Sequence, residues 1–125
     1  MSYAYDDQNI FARILRGETP NATVIETEHT LAFSDTAPQA PHPVLVIPKG
    51  AYATYGQFAL EATDAEILDF TRAVGRIAAE LGVQPAMGGS GFRLISNAGP
   101  DAIQEVPHMH VHLVAGRPLG RILPE

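Results

Sequence analysis

At 125 residues, 46% of them hydrophobic and 18% charged, the chain has the size and apolar content of one folded domain, which excludes disorder as its overall state. Its formal net charge of −6 lacks the basic surplus of a general nucleic-acid binder, and with no cysteine it can form neither disulfides nor a thiolate metal site. Residues Met1 to Asp7 lack the basic and apolar regions of a signal peptide, and no apolar run approaches the ~20 residues of a membrane span, so a cytoplasmic protein without a membrane partner is expected.

Asn9 to Arg16 predicts a short helix. Ile10, Phe11, Ile14 and Leu15 form one apolar face, Gly17 stops the helix and Pro20 follows. Ala22 to Glu26 and Thr30 to Ser34 predict two strands joined by a turn in which His29 is solvated. The segment from Asp35 to Pro43 carries Pro38, Pro41 and Pro43 and reads as a loop. Val44 to Ile47 is wholly apolar, as a central strand would be, and Pro48 ends it.

The longest predicted helix runs from Thr63 to Leu81. Thr63 and Glu66 form a capping box, Ile67, Phe70, Val74, Ile77, Ala78 and Leu81 repeat at helical steps, and Gly82 suits the left-handed position after the last turn. Gly88-Gly89-Ser90-Gly91 lacks the rest of a phosphate-binding loop and reads as a flexible connection. Phe92 to Ser96 predicts a strand, Asn97 to Pro100 a turn, and Pro107 to Val114 the last strand. Five strands and two helices predict an α+β fold around an antiparallel sheet, in a single domain over residues 1–125 with its core at about 9–117 and a tail at 118–125.

Within the last strand, His108, His110 and His112 alternate with Met109, Val111 and Leu113. Strand side chains alternate between faces, so the histidines share one face and the apolar residues the other. Three readings are open. The first is a solvated strand that happens to be rich in histidine. The second is a metal site, with two imidazoles and a carboxylate such as Asp35 or Glu105. The third is nucleophilic catalysis by His110, with crowding keeping the rings neutral and reactive. Asp35 and Asn97 each read equally or better as turn residues on local pattern alone.

The chain resembles the histidine triad (HIT) superfamily. The resemblance rests on His108-x-His110-x-His112 and on matching segments in family order. These are Ile10-Phe11 with Ile14, Leu31 to Asp35, Pro38 to Pro41, Leu45 to Lys49, Asn97 to Gly99, Gln104, and Gly116-Arg117. The most similar branch is the Hint-like nucleoside phosphoramidases. The resemblance implies a homodimer whose sheet continues across the two-fold axis, a purine nucleoside monophosphate as ligand, and no metal or other cofactor. It implies that Ile10, Phe11, Ile14 and Phe33 wall the base, and that Asp35 accepts the ribose hydroxyls, with Ser34 beside it. Asn97, the triad and the neighbouring Gln104 and Glu105 fall around the α-phosphate. His110 matches the nucleophile that forms a covalent nucleotidyl-histidine, His112 a phosphate contact that assists the leaving group, and His108 an orienting partner.

Four departures stand out. Pro43 occupies the place of a further histidine common in relatives, and His42 lies one residue early. Asn9 and Ala12 stand where many bacterial members carry zinc-binding cysteines, which implies no such zinc site. Glu105 replaces a serine or threonine near the phosphate. The tail lacks a tryptophan that some relatives place at the partner's site. Alternatives to a phosphoramidase are a dinucleoside polyphosphate hydrolase or nucleotidyltransferase of the same superfamily, and a purine-nucleotide-binding regulatory dimer with little catalysis.

Overall fold

The computed structural model describes residues 4–35 and 43–122. In chain order the elements are α1 (Ile10–Leu15), β1 (Thr23–Glu26), β2 (Thr30–Ser34), β3 (Val44–Pro48), α2 (Tyr55–Glu61), α3 (Asp64–Glu80), β4 (Phe92–Ile95) and β5 (Val111–Ala115), with short 3-10 turns at Pro85–Met87 and Pro100–Ala102. The strands form one antiparallel sheet in the order β1-β2-β3-β5-β4, which puts the apolar β3 at its centre.

Alternation along the strands sorts the apolar residues into two cores. Ala32, Val44, Val46, Met109, Val111 and Leu113 face α3, where they pack with Phe70, Val74, Ile77 and Ala78. Leu31, Phe33, Leu45 and Ile47 face the other way and pack against Phe11 and Ile14 of α1. The register pairs Phe33 with Leu45 and Leu45 with His112, so the histidine side of β5 shares the α1 face of the sheet.

The α+β fold and its five antiparallel strands are as expected, and α3 carries the expected caps. Thr63 Oγ1 accepts from the Glu66 N–H while the Glu66 carboxylate accepts from the Thr63 N–H, and Gly82 has φ +73°. Asp69 ties α3 to the β1–β2 turn by accepting from the Thr27 and Thr30 hydroxyls and the His29 amide, so His29 is half-buried and its backbone is held rather than solvated. The glycine run does not serve the cleft. A Cβ on Gly89 would lie 2.6 Å from the Gly82 carbonyl oxygen, so glycine is required there by close backbone packing.

Two expectations need correction. Among the described residues there are three α-helices rather than two. Helix α2 buries only Phe58, so it shows no apolar periodicity, and Thr54 caps it by accepting from the Gln57 amide. The last strand begins at Val111 and not near Pro107. The Met109 amide donates to the Tyr52 carbonyl at 2.7 Å and the His108 amide to the Val106 carbonyl at 2.8 Å, which takes both groups out of the β3–β5 ladder.

Candidate active site

His108 and His110 therefore lie on the extended approach to β5, and His112 lies within it. The chain order still turns alternate side chains to opposite sides, and Met109 is buried in the α3 core while His110 points to the α1 side. His108 is completely buried, and both ring nitrogens are engaged. A carbonyl oxygen can only accept, so Nε2 of His108 carries the hydrogen and donates to the Pro48 oxygen at 2.8 Å. Nδ1 then accepts from the Tyr5 hydroxyl at 2.5 Å. Tyr5 in turn accepts from Asn9 Nδ2 at 3.0 Å, and Asn9 Oδ1 accepts from the Ala12 amide at the start of α1. This hydrogen-bond chain runs from the cap of α1 through His108 to the end of β3.

The same reasoning fixes the tautomer of His110. Its Nδ1 lies 2.7 Å from the His108 carbonyl oxygen and must donate to it, which leaves the lone pair on Nε2. Ser96, just past β4, donates its hydroxyl to the His110 carbonyl at 2.9 Å and so fixes the backbone. The Phe11 ring stands edge-on to His110 with centroids 5.0 Å apart, and the His112 ring centroid lies 5.1 Å away.

These groups open onto a cleft of about 600 Å³ between α1, the sheet and the segment before β5. Ile10, Phe11, Ile14 and Phe33 supply its apolar part, and Ser34 and Asp35 lie at the end of β2. Asn97, Glu105, His110 and His112 also line it. The cleft thus has an apolar end, two carboxylates and two imidazoles in one continuous space.

Burial depresses the basicity of both inner histidines. His108 is pushed down to about 4, chiefly by desolvation, against a partial offset from its bond to Pro48. His110 is also held below the usual imidazole value, first by burial and then by the charge of His112, while the carboxylates of Asp35 and Glu105 oppose the shift. Burial therefore outweighs the crowding expected from the sequence. At neutral pH the His110 ring is a neutral imidazole with a free Nε2. A shared metal ion has poor prospects at His108, where no lone pair is unused. Among the described residues no three histidine or carboxylate side chains converge as a ligand set.

The HIT domain model matches residues 16–119. The chain belongs to the HIT family. A HIT-like protein of 13.2 kDa from Azospirillum brasilense is 53% identical over 123 residues, covering 98% of either chain. The purine nucleoside phosphoramidase of Escherichia coli is 36% identical over 120 residues, covering 94% of each. Among solved structures, a histidine triad protein from Clostridium difficile superposes with a TM-score of 0.80 at 34% identity, covering 96% of this chain and all of that one.

Set against the HIT pattern, the cleft brings together Ile10, Phe11, Ile14, Phe33, Ser34, Asp35, Asn97, Glu105, His110 and His112. Two expected site residues stand back from it. His108 lies behind His110 as its anchor. Gln104 is turned into its own loop, where its oxygen accepts from the Gly99 amide and its nitrogen donates to the Ala53 and Val106 carbonyls. His42 and the run Pro38 to Pro41 lie outside the described residues. Asn9 and Ala12, at the positions where HIT relatives carry cysteines, are hydrogen-bonded to each other as the cap of α1. Sequence reasoning missed Tyr5, Ser96 and Ile103. Only the apolar Ile103 beside the family-matched Gln104 offered a signal in the sequence.

Proposed function

We propose that this HIT protein is a hydrolase that cleaves a P–N bond at the α-phosphate of a purine nucleoside 5′-phosphoramidate through a covalent nucleotidyl-histidine. The observation that carries this reading is the state of His110: buried, neutral, pinned through Nδ1, and presenting Nε2 to a cleft that also holds Asp35 and an apolar pocket. The Escherichia coli relative named as a purine nucleoside phosphoramidase supports it.

In the first step His110 Nε2 attacks phosphorus and forms a P–N bond. The bond to the amine breaks, and its electron pair leaves on the amine nitrogen, which takes a proton delivered by way of His112. In the second step water attacks phosphorus and gives a proton to His112, replacing the one passed to the amine; the bond to Nε2 breaks and its electron pair returns to the ring. The nucleoside monophosphate is released. A neutral nucleophile approaches the anionic phosphate without the repulsion a carboxylate would meet, and N–H donors near Asn97 and His112 can face the charge that builds on the phosphoryl oxygens. Asp35 accepts the ribose hydroxyls, and the apolar pocket takes the purine.

The same reading places a homodimer at β4. This is an edge strand of the sheet, and its Leu94 and Ile95 are 47% and 39% exposed. An unpaired edge strand that exposes apolar side chains is unfavourable in a monomer and can pair with its own copy. Sedimentation equilibrium at micromolar concentration is expected to give twice the chain mass.

The experiment that tests the function is turnover of adenosine 5′-phosphoramidate, followed as AMP release, by the protein and by His110→Ala. The reading predicts release by the former and a loss of at least about a thousandfold in the latter, with AMP still bound. A nucleotide-binding dimer without turnover is the second reading, favoured by the carboxylate of Glu105 in a cleft meant for an anion. AMP binding with no turnover by either protein would select it.

A further inference from the structure

Resting on the phosphoramidase reading, we infer that Glu105 and Ile103 form a leaving-group subsite for amines that carry an alkyl chain and a second, positive charge. The observation begins with the charge of the cleft. Two carboxylates line it, Asp35 and Glu105, and among the described lining residues there is neither lysine nor arginine. The sequence 36–42, Thr-Ala-Pro-Gln-Ala-Pro-His, contains neither as well. A site for a polyphosphate chain normally meets it with such cations. This cleft is built for a substrate of low negative charge.

The two carboxylates have separate placements. Asp35 follows β2, whereas Glu105 follows the 3-10 turn after β4, and both fields reach the His110 ring. Glu105 is exposed and forms no ion pair or hydrogen bond with another described residue. With Asp35 committed to the ribose, Glu105 is the anion left for the departing half of the substrate.

The segment that carries Glu105 is held by its backbone. Gln104 is anchored inward by three hydrogen bonds, to Gly99, Ala53 and Val106. Its neighbours Ile103 and Glu105 consequently line the cleft. Ile103 has φ +54° and is the one non-glycine residue with positive φ among the described residues. That conformation is strained for a β-branched side chain, and it occurs where the Ile103 amide donates to the Pro100 carbonyl and the Gln104 amide to the Gly99 carbonyl, both at 3.1 Å. Ile103 is also 74% exposed, so its side chain offers an apolar surface to the cleft that Glu105, two residues on, also lines. An alkyl chain can lie on the first and a cation can meet the second. The serine or threonine of relatives at the position of Glu105 would supply no such charge.

The test compares three adenosine 5′-phosphoramidates of similar leaving-group length, made from diaminobutane, butylamine and γ-aminobutyrate. Their tails are cationic, neutral and anionic. The protein is expected to rank kcat/KM in that order, with about tenfold between the extremes at low salt and less at high salt. Glu105→Gln keeps the shape and removes the charge, and it is expected to bring the ratio close to unity. Glu105→Lys is expected to reverse it. Equal kcat/KM for all three amines in the unsubstituted protein would overturn the subsite while leaving the phosphoramidase reading intact. A preference that survives in Glu105→Gln would overturn the assignment to Glu105. Turnover of none of the three would overturn the phosphoramidase reading and the subsite with it.

Discussion

His110 donates from Nδ1 to the carbonyl oxygen of His108 at 2.7 Å. This one bond decides which nitrogen of the central histidine can act, because the lone pair is then on Nε2. It also couples the reactive ring to a residue that is itself held on both sides, by Tyr5 and by the Pro48 carbonyl. The triad is therefore a hierarchy: His108 is a buried anchor, His110 is the presented nucleophile, and His112, half-exposed in β5, faces the cleft beside it.

The pH dependence of activity follows from burial. His110 is held below the ordinary imidazole value of 6.5, so its neutral form persists below that pH. The acid limb of kcat/KM for a phosphoramidate is expected to fall below ~6.5, where a solvated histidine would already be half protonated. An acid limb above ~6.5 would contradict the burial account.

Stability should carry the same signature. His108 is pushed down to about 4 in the folded chain, whereas in the unfolded chain it titrates at the ordinary value of 6.5. Between these values the unfolded state binds a proton that the folded state does not, so stability falls as pH drops through that window and is flat above it for this group. The loss from His108 is about 2 kcal/mol at pH ~5 relative to pH ~7. Urea denaturation at the two pH values measures it, and His108→Asn should weaken the dependence.

Tyr5→Phe removes the donor to Nδ1 of a completely buried ring. An unsatisfied buried acceptor costs about 1–3 kcal/mol, and a loss of that size is expected in the unfolding free energy. Asn9 is expected to stay in place, because its side chain also donates to the Asp6 carbonyl at 2.7 Å and caps α1. No change in unfolding free energy would mean that Tyr5 does not hold the His108 ring.

Asp35 provides a test of ligand orientation. If its carboxylate accepts the ribose hydroxyls, AMP should bind more tightly than its 2′-deoxy analogue by about tenfold, the scale of a hydrogen bond to a charged group. Asp35→Ala should bring the two affinities together, as measured by calorimetric titration. A ribose preference that persists in the variant would place the sugar elsewhere in the cleft.

Much of the frame was legible because local patterns report local forces. The Thr63–Glu66 capping box, the helical repeat from Ile67 to Leu81 and the alternation from Met109 to Leu113 each involve residues close in sequence, and each appears in the structure. The start of β5 was not legible, since the amide of Met109 is claimed by Tyr52, a partner no periodicity indicates. Helix α2 was hidden because a single buried residue, Phe58, makes no pattern. The Tyr5–His108 bond joins positions 103 residues apart and leaves no trace in spacing. Gln104 matched the family pattern, yet its side chain serves the loop; only the folded structure separates a residue that lines the cleft from one that shapes its neighbours.

The measurement that tests the central claim most directly is trapping of the intermediate. The protein is mixed with an adenosine 5′-phosphoramidate, quenched in alkali during turnover, and examined by intact-mass and peptide mass spectrometry. The account predicts a protein heavier by one adenylyl group, with the group on His110 and absent from His110→Ala. Turnover with no adduct on His110, or an adduct that maps to another residue, would contradict it.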